Sequence, residues 1–324
     1  MGLHRFIVSA APALLGMYLP FCTAEIRLTT TPADAPVATL WQQRIDVEER
    51  DLLSGPWGRG NAPDPRDIYT LIEVKHTGIN PGVTVRDSEG RQWSVKQPFG
   101  EGDDEGPTEV VLSRVLSAVG YHQPPVYYLR SFTVRDNWGV HTEVGGRFRL
   151  KTNALKDRGE WSWQQNPFVG TTPYQGLLVV LLLFNSSDLK NSNNTVYEYR
   201  AAGGQRELRY VVRDIGTALG STGRFAPIKS DPGAFEHHGF IAGVRGGFVQ
   251  FVYRGWHQEL VRDRITAADV RWASDLLAAL TDEQWRDAFR AGGYAEPVAQ
   301  RFIAALETRI AAGQQLPLIA ATAP

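Results

Sequence analysis

The sequence predicts an α+β protein, with strands concentrated in its first half and helices in its second. Residues 68–97 and 126–150 alternate between apolar and polar positions in the manner of strands. Residues 266–312 instead show the apolar spacing of amphipathic helices. The character changes between residues 152 and 172. This segregation of strands and helices predicts two lobes.

The composition is that of an ordinary globular protein with a sizeable core. Of the 324 residues, 43% are hydrophobic and 21% are charged. Thirty-four basic residues against 35 acidic ones leave a net charge of −1. We therefore expect no nucleic acid as a partner, and we look for specificity in local sites.

The first 24 residues are typical of a secretory signal peptide. His4 and Arg5 precede an apolar stretch over 6–21, and Thr23 and Ala24 are the small residues of a cleavage site. A membrane anchor or a buried helix is the alternative, but prolines and a glycine interrupt the run, which is shorter than the ~20 residues of a spanning helix. The pattern predicts an exported protein, periplasmic or secreted. Cleavage after Ala24 would remove Cys22, the only cysteine, and exclude disulfides and cysteine nucleophiles.

The first lobe is expected to be a small sheet that carries one helix. Residues 25–66 form an N-terminal extension with Pro and Gly clusters, and the turn DSEG at 87–90 joins two strand-like runs as a hairpin. A second turn is predicted at DNWG, 136–139, within the strand-like residues 126–150. After an acidic linker, Thr108 is placed to cap a helix that Gly120 ends.

The second lobe is expected to begin with a buried helix. The apolar run LLVVLLLF at 177–184 is too short to cross a bilayer, so we expect no stable membrane span. A polar loop and two strand-like runs follow. Helices are then predicted over 266–280, 281–292 and 295–312, with Thr266 and Thr281 as caps.

Two polar segments in this half carry residue types suited to phosphate chemistry. In DLKNSN, Asp188, Lys190 and Asn193 stand at offsets 0, 2 and 5, directly after the apolar helix. Farther on, the strand LRYVVRDIG ends in Asp214 and Gly216. Polar turns are the alternative interpretation, because Asn, Ser and Asp are favoured there.

Together with Lys96 at a strand end and Glu109 in the following helix, these segments resemble protein kinases. DLKNSN resembles the D-x-K-x-x-N catalytic loop, and Asp214 with Gly216 resembles the D-F-G element. The resemblance covers about residues 70–220 and is closest to the atypical, HipA-like and lipid-kinase-like branches. It implies a two-lobed protein-kinase-like fold, with an N-lobe over 67–160 and a helical C-lobe over 161–324.

The resemblance also implies roles for these residues in an ATP- and magnesium-dependent phosphotransferase. Asp188 would accept or orient the proton of the attacking hydroxyl, and Lys190 would steady the transferred phosphate. Asn193 and Asp214 would ligate Mg²⁺, which requires few protein oxygens. Lys96 would contact the nucleotide phosphates and pair with Glu109. The acceptor, whether protein, lipid or small molecule, is not specified.

The sequence also departs from the kinase pattern. Ser186 and Ser187 replace the histidine and arginine before the catalytic aspartate, and HTGINPG at 76–82 is only a loose version of the glycine-rich loop. A pseudokinase that holds a ligand or partner without transfer is therefore the alternative. A hydrolase or nucleotidyltransferase on the same fold is a third reading.

Overall fold

The computed structural model describes residues 36–75, 81–98, 100, 105–201 and 204–318. The predicted signal peptide and most of the loop at 76–82 lie outside the described residues. Residues 36–324 form one compact unit. Within the parts of the chain just given, no helix is long and apolar enough to span a membrane.

The first lobe is a closed barrel with one helix inserted between its strands. In the barrel the strands follow the order β2-β3-β4-β6-β5. Their bounds are β2 (Ile68–Lys75), β3 (Gly82–Arg86), β4 (Gln92–Lys96), β5 (Val126–Asp136) and β6 (Gly139–Lys151). The predicted turns at 87–90 and 136–139 join β3 to β4 and β5 to β6. An aromatic core that includes Trp93 and Phe148 fills the barrel.

The inserted helix, α1 (Glu105–Ala118), begins earlier than predicted. Thr108 is not its cap, because Glu105 to Pro107 already form the first turn, where a proline is tolerated. The Thr108 side chain is buried, and its hydroxyl lies 2.7 Å from the Tyr294 hydroxyl. Gly120 follows the end of the helix with φ +105°, a value that favours glycine.

The second lobe packs helices around the predicted apolar helix. The helices are α2 (Thr172–Leu183), α3 (Pro232–His237), α4 (Ala267–Ala278), α5 (Asp282–Ala291) and α6 (Glu296–Gln314). Nearly all of α2 is buried. Thr266 and Thr281 form the two predicted capping boxes. The two-lobed α+β class is thereby confirmed.

A second sheet, with the order β1-β9-β8-β7, carries the predicted strand pair that follows the polar loop. Its strands are β1 (Val37–Thr39), β7 (Leu155–Asp157), β8 (Asn194–Arg200) and β9 (Arg206–Val212). A separate hairpin of β10 (Ile241–Arg245) and β11 (Phe248–Phe251) was not expected from the sequence. The N-terminal extension joins the sheet through β1, which pairs in parallel with β9.

A buried arginine of α6 holds the end of α2. The Arg309 guanidinium donates to the carbonyl oxygens of Leu183, Phe235 and His238 and to Asn185 Oδ1, at 2.7–2.9 Å. Leu183 is the last residue of α2, so its carbonyl has no partner within the helix. Burial lowers the pKa of Arg309 to about 10. The polar loop after α2 is thus tied to the last helix.

We expect Arg309→Met to lower the free energy of unfolding by about 3 kcal/mol, because it leaves buried acceptors without donors. Urea denaturation measures the change. The matched control is Arg301→Met, on the same helix, where the guanidinium is half exposed and pairs with Glu236. Its loss should cost at most about 1 kcal/mol. Equal effects of the two substitutions would contradict the structural role of Arg309.

Candidate active site

The polar loop between α2 and β8 brings Asp188 and Asn193 together. The Asn193 side-chain nitrogen donates to the Asp188 carbonyl oxygen at 2.9 Å. This bond leaves the Asn193 side-chain oxygen as the atom that can face a cation. At the start of the loop, Asn185 takes a left-handed conformation with φ 55° and donates to the Gly220 carbonyl. The loop therefore has a defined shape, unlike a simple solvated turn.

Asp188 and Lys190 form an ion pair in this loop. Asp188 Oδ1 lies 2.9 Å from Lys190 Nζ, although the angles do not meet those of a hydrogen bond. Lys190 Nζ also lies 5.0 Å from the centre of the Trp256 ring. Asp188 Oδ1 is buried and has no hydrogen-bond donor among the residues that the structure describes. A buried carboxylate oxygen in this state can accept a proton or a hydrogen bond from a ligand.

Asp214 lies beside this loop because β8 and β9 form an antiparallel hairpin. The Arg213 amide donates to the Asn193 carbonyl oxygen at 2.7 Å, so the residue after Arg213 is held next to Asn193. Asp214 adopts φ 50°, a left-handed conformation that is uncommon outside glycine and occurs at functional sites. The two predicted metal ligands are thus brought together.

Positive charge keeps the Asp214 carboxylate ionised. Burial opposes ionisation, but Arg147 and Lys96, followed by Arg149 and Arg213, hold its pKa below the ordinary value. Arg147 Nη2 lies 3.5 Å from Asp214 Oδ1. An ionised, partly exposed carboxylate next to an amide oxygen is a donor set that suits Mg²⁺.

Lys96 pairs with Glu105, and the predicted direct pair with Glu109 is wrong. Lys96 Nζ donates to Glu105 Oε2 at 2.7 Å. Glu105 precedes Glu109 by one turn of α1, and the longer helix of the structure makes this earlier carboxylate available. Glu109 still acts on the lysine at longer range. Burial lowers the pKa of Lys96, but the charges of Glu109 and Glu105 outweigh burial and raise it.

Arg147 occupies the position next to Glu109. Its Nε donates to Glu109 Oε2 at 3.1 Å, and both side chains are buried. Sequence reasoning missed Arg147, although the alternation of Arg147, Arg149 and Lys151 along GRFRLK indicates a charged face. One buried guanidinium therefore lies between the helix carboxylate and Asp214.

The segment after Asp214 packs against the start of α1. Lys229 Nζ contacts Glu105 Oε1 at 2.7 Å. A Cβ atom at Gly216 would lie 2.3 Å from the Glu105 carbonyl oxygen, so a side chain there would clash with α1. The glycine of the D-x-G segment thus permits a close approach of two backbones.

Ser187, in the position of the kinase arginine, is buried and makes structural contacts. Its hydroxyl accepts from the Gly223 amide, and its backbone amide donates to the Thr217 carbonyl. These bonds link the polar loop between α2 and β8 to the segment after Asp214 through neutral groups. A phosphorylated side chain would find no arginine at this position.

The described residues contain no group of three or more His, Cys, Asp and Glu side chains placed to hold a metal ion. Asp214 and Asn193 offer one carboxylate and one amide, which is what Mg²⁺ commonly takes from a protein when a phosphate ligand and waters complete its shell. The residues present therefore fit a magnesium–nucleotide complex.

No protein-family model and no curated protein matches the chain. Among solved structures, it is similar to the proinflammatory kinase CtkA of Helicobacter pylori, with 8% identity over 76% of this chain and 95% of that chain and a TM-score of 0.43. It is also similar to the Rio2 kinase of Chaetomium thermophilum in a complex with ADP/Mg²⁺ and phosphoaspartate, with 14% identity, 76% and 72% coverage and a TM-score of 0.34. A third structure is the Golgi casein kinase, with 10% identity, 78% and 73% coverage and a TM-score of 0.32.

The fold class rests on the chain's own architecture. A lysine on the third barrel strand is followed directly by a helix that carries carboxylates, and the loop after a buried helix meets a D-x-G segment. This order is similar to that of the strand lysine, helix glutamate, catalytic loop and metal-binding aspartate of protein kinases. The chain has a two-lobed α+β fold with that order of elements.

We expect the stabilisation by Glu105 to be lost in acid. Burial raises the pKa of Glu105, but Lys96 and Lys229 outweigh it and leave the pKa below its ordinary value. A lowered folded-state pKa gives stability that is present above the unfolded pKa, about 4.3, and disappears as the pH falls through the folded pKa. The difference in unfolding free energy between the parent and Glu105→Gln should therefore be largest near neutral pH and shrink in acid.

Urea denaturation at neutral pH and at two acidic pH values measures this difference. The control is Glu160→Gln, at an exposed carboxylate, which should change stability little at any pH. A parent–variant difference for Glu105 that does not change with pH would contradict the prediction.

Proposed function

We propose that this protein is a phosphotransferase that uses ATP and Mg²⁺. The observation that carries the proposal is the hydrogen-bonded unit in which Asn193 binds the Asp188 carbonyl and the Arg213 amide binds Asn193. These two bonds hold the backbone of Asp188 and of Arg213, the neighbour of Asp214, close to Asn193, which supports the proposal. Such preorganisation is the main contribution of a protein to this chemistry.

Each side chain has a role that follows from its surroundings. The Asp188 carboxylate, whose Oδ1 is ion-paired with Lys190, would orient the acceptor hydroxyl and receive its proton. Lys190 would contribute positive charge at the same point. Asp214 and Asn193 would hold Mg²⁺, which when bound neutralises phosphate charge. Lys96 and Arg147 would attract the nucleotide phosphates.

Binding without transfer, as in a pseudokinase, is the alternative. The replacement of the usual histidine and arginine by Ser186 and Ser187 supports it. Serine is uncharged, and both serines are buried, so neither replaces the positive charge that the kinase arginine would supply. The acceptor, whether protein, lipid or small molecule, is open in either case.

Thermal unfolding with and without Mg²⁺ and ATP tests the proposal. At a nucleotide concentration of about 100 Kd, the parent should gain about 2.7 kcal/mol of stability. Asp214→Asn should lose most of this gain, because the amide keeps the side-chain shape but not the charge. The control is Asp263→Asn, at an exposed aspartate with a similar φ of 52°. Absence of any gain in the parent would contradict nucleotide binding.

Transfer of the γ-phosphate to water or to a general protein acceptor separates the two alternatives. Asp188→Asn should lower transfer by about 10²–10⁴-fold and leave the nucleotide-dependent stabilisation in place. Stabilisation of the parent without any transfer would favour the pseudokinase.

We also propose that the protein is exported to the periplasm or secreted. The support is the signal-peptide pattern of residues 1–24. Expression of the full chain in a bacterial host, followed by cell fractionation and N-terminal sequencing, should give a protein outside the cytoplasm that starts at Glu25. An intact Met1 in the cytoplasmic fraction would refute export.

A further inference from the structure

One face of the barrel carries a row of cations. Lys96 and Arg147 belong to this row, and so do Lys75, Arg149 and Lys151, which have no part in the proposed binding of Mg²⁺ and nucleotide phosphates. In the strand register, Lys96 pairs with Arg147 and Ser94 pairs with Arg149. Because alternate residues of a strand point to the same side, these four residues share a face, and Trp93 and its neighbours point into the apolar core. The charged face is therefore the side of the strands that carries Lys96, opposite the apolar core.

Within the described residues, three cations on this face, Lys75, Lys151 and Arg149, form no ion pair with a carboxylate. Lys75 Nζ donates to Ser94 Oγ at 2.5 Å, and Lys151 Nζ donates to Thr84 Oγ1 at 3.3 Å. Arg149 Nη1 is buried and has no hydrogen-bond partner among the described residues. Lys151 is exposed, whereas Lys75 and Arg149 are partly buried, and charges removed from water normally have a charged or strongly polar partner.

The electrostatics of these groups are unfavourable without an anion. Burial lowers the pKa of Lys75 to about 8, and repulsion from Arg149, Arg147 and Lys151 adds to the effect. Burial and then the Arg147 charge likewise lower the pKa of Arg149, and Tyr197 and Asp214 oppose this shift only in part. Glu73 lies near and accepts a weak hydrogen bond from Thr84 at 3.4 Å, but its charge only partly offsets the repulsion.

Arg149 lies beyond the phosphate-binding point assigned to Lys96. Lys96 and Arg147 form one cross-strand row, and Ser94 and Arg149 form the row two residues away. Two residues along a strand correspond to ~6.6 Å. An anionic group held by Arg149 is therefore a different group from the one held by Lys96. The ligand that fits this face has several anionic groups in line.

We propose that the barrel face formed by Lys75, Arg149 and Lys151 is an anion subsite that binds part of a linear polyphosphate chain. An uncharged aromatic base on this face would leave the cations without counter-charge, and a phosphate supplies both charge and hydrogen-bond acceptors. The inference rests on the proposed function in one respect, because the subsite extends from the proposed nucleotide site. The subsite itself requires neither Mg²⁺ nor Asp214.

Titration calorimetry with inorganic tripolyphosphate, in buffer that contains EDTA, tests the subsite. The parent should bind tripolyphosphate, and adenosine should not bind measurably. Arg149→Gln should weaken tripolyphosphate binding about tenfold, as expected for the loss of a charge-assisted hydrogen bond. The control is Arg135→Gln, an exposed arginine on β5 of the same barrel, which should not change the affinity.

A second variant covers the case in which Arg149→Gln does not fold. Lys75→Met removes a charge from the cluster and should leave the thermal midpoint equal or higher, because it relieves repulsion, and should again weaken tripolyphosphate binding. No binding to the parent, or equal weakening in the Arg149 and Arg135 variants, would overturn the inference.

The failure of this inference can be told apart from failure of the proposed function. Stabilisation by Mg²⁺ and ATP that depends on Asp214, without metal-free tripolyphosphate binding, would overturn the subsite and leave the phosphotransferase proposal intact. Tripolyphosphate binding that persists in Asp214→Asn supports the subsite even if Mg²⁺ and ATP have no effect on the parent.

Discussion

The buried guanidinium of Arg147 joins the parts on which the site depends. It lies on β6 of the barrel, donates to Glu109 of α1 at 3.1 Å and approaches Asp214 at 3.5 Å. Removing one partner of a buried ion pair leaves the other charge uncompensated in a low dielectric, which is strongly unfavourable. The barrel, the helix and the Asp214 segment are therefore held in one arrangement. The remaining guanidinium nitrogen, Nη1, is buried and has no hydrogen-bond partner among the residues that the structure describes.

Residues of the second lobe hold the polar loop between α2 and β8 in place. Arg309 holds the C-terminal end of α2, and Ser187 links the loop to the segment after Asp214. These contacts are made to backbone atoms, which fixes the shape of the loop. Polar groups are held in place by the rigid elements around them.

Charge is distributed unevenly along the barrel face. Near α1, cations and carboxylates alternate, and Lys96 is neutralised by Glu105 and by the longer-range effect of Glu109. Farther along the strands, the compensation is only partial: Glu73 acts on Lys75, and Asp214 acts on Arg149. A folded protein keeps like charges close together at a cost in stability. An anionic ligand that offsets this cost would bind with a favourable contribution from the relief of repulsion.

Much of the fold could be predicted from the sequence, because local patterns determine it. The two barrel turns, the apolar helix α2 and the capping boxes at Thr266 and Thr281 depend on neighbouring residues and on periodicity. The start of α1 was misplaced because a proline and acidic residues read equally well as linker and as first turn. The β10–β11 hairpin was missed because its strands are short.

For the site, the order of Lys96, Asp188, Asn193 and Asp214 along the chain was sufficient to suggest kinase-like chemistry, because those residue types and spacings follow from the needs of phosphate and magnesium. Only the tertiary structure decided which charges meet. Lys96 pairs with Glu105, one helical turn before the predicted Glu109, because Arg147 from a distant strand lies against Glu109. Contacts between residues far apart in sequence depend on strand register and helix position, and no local pattern encodes them.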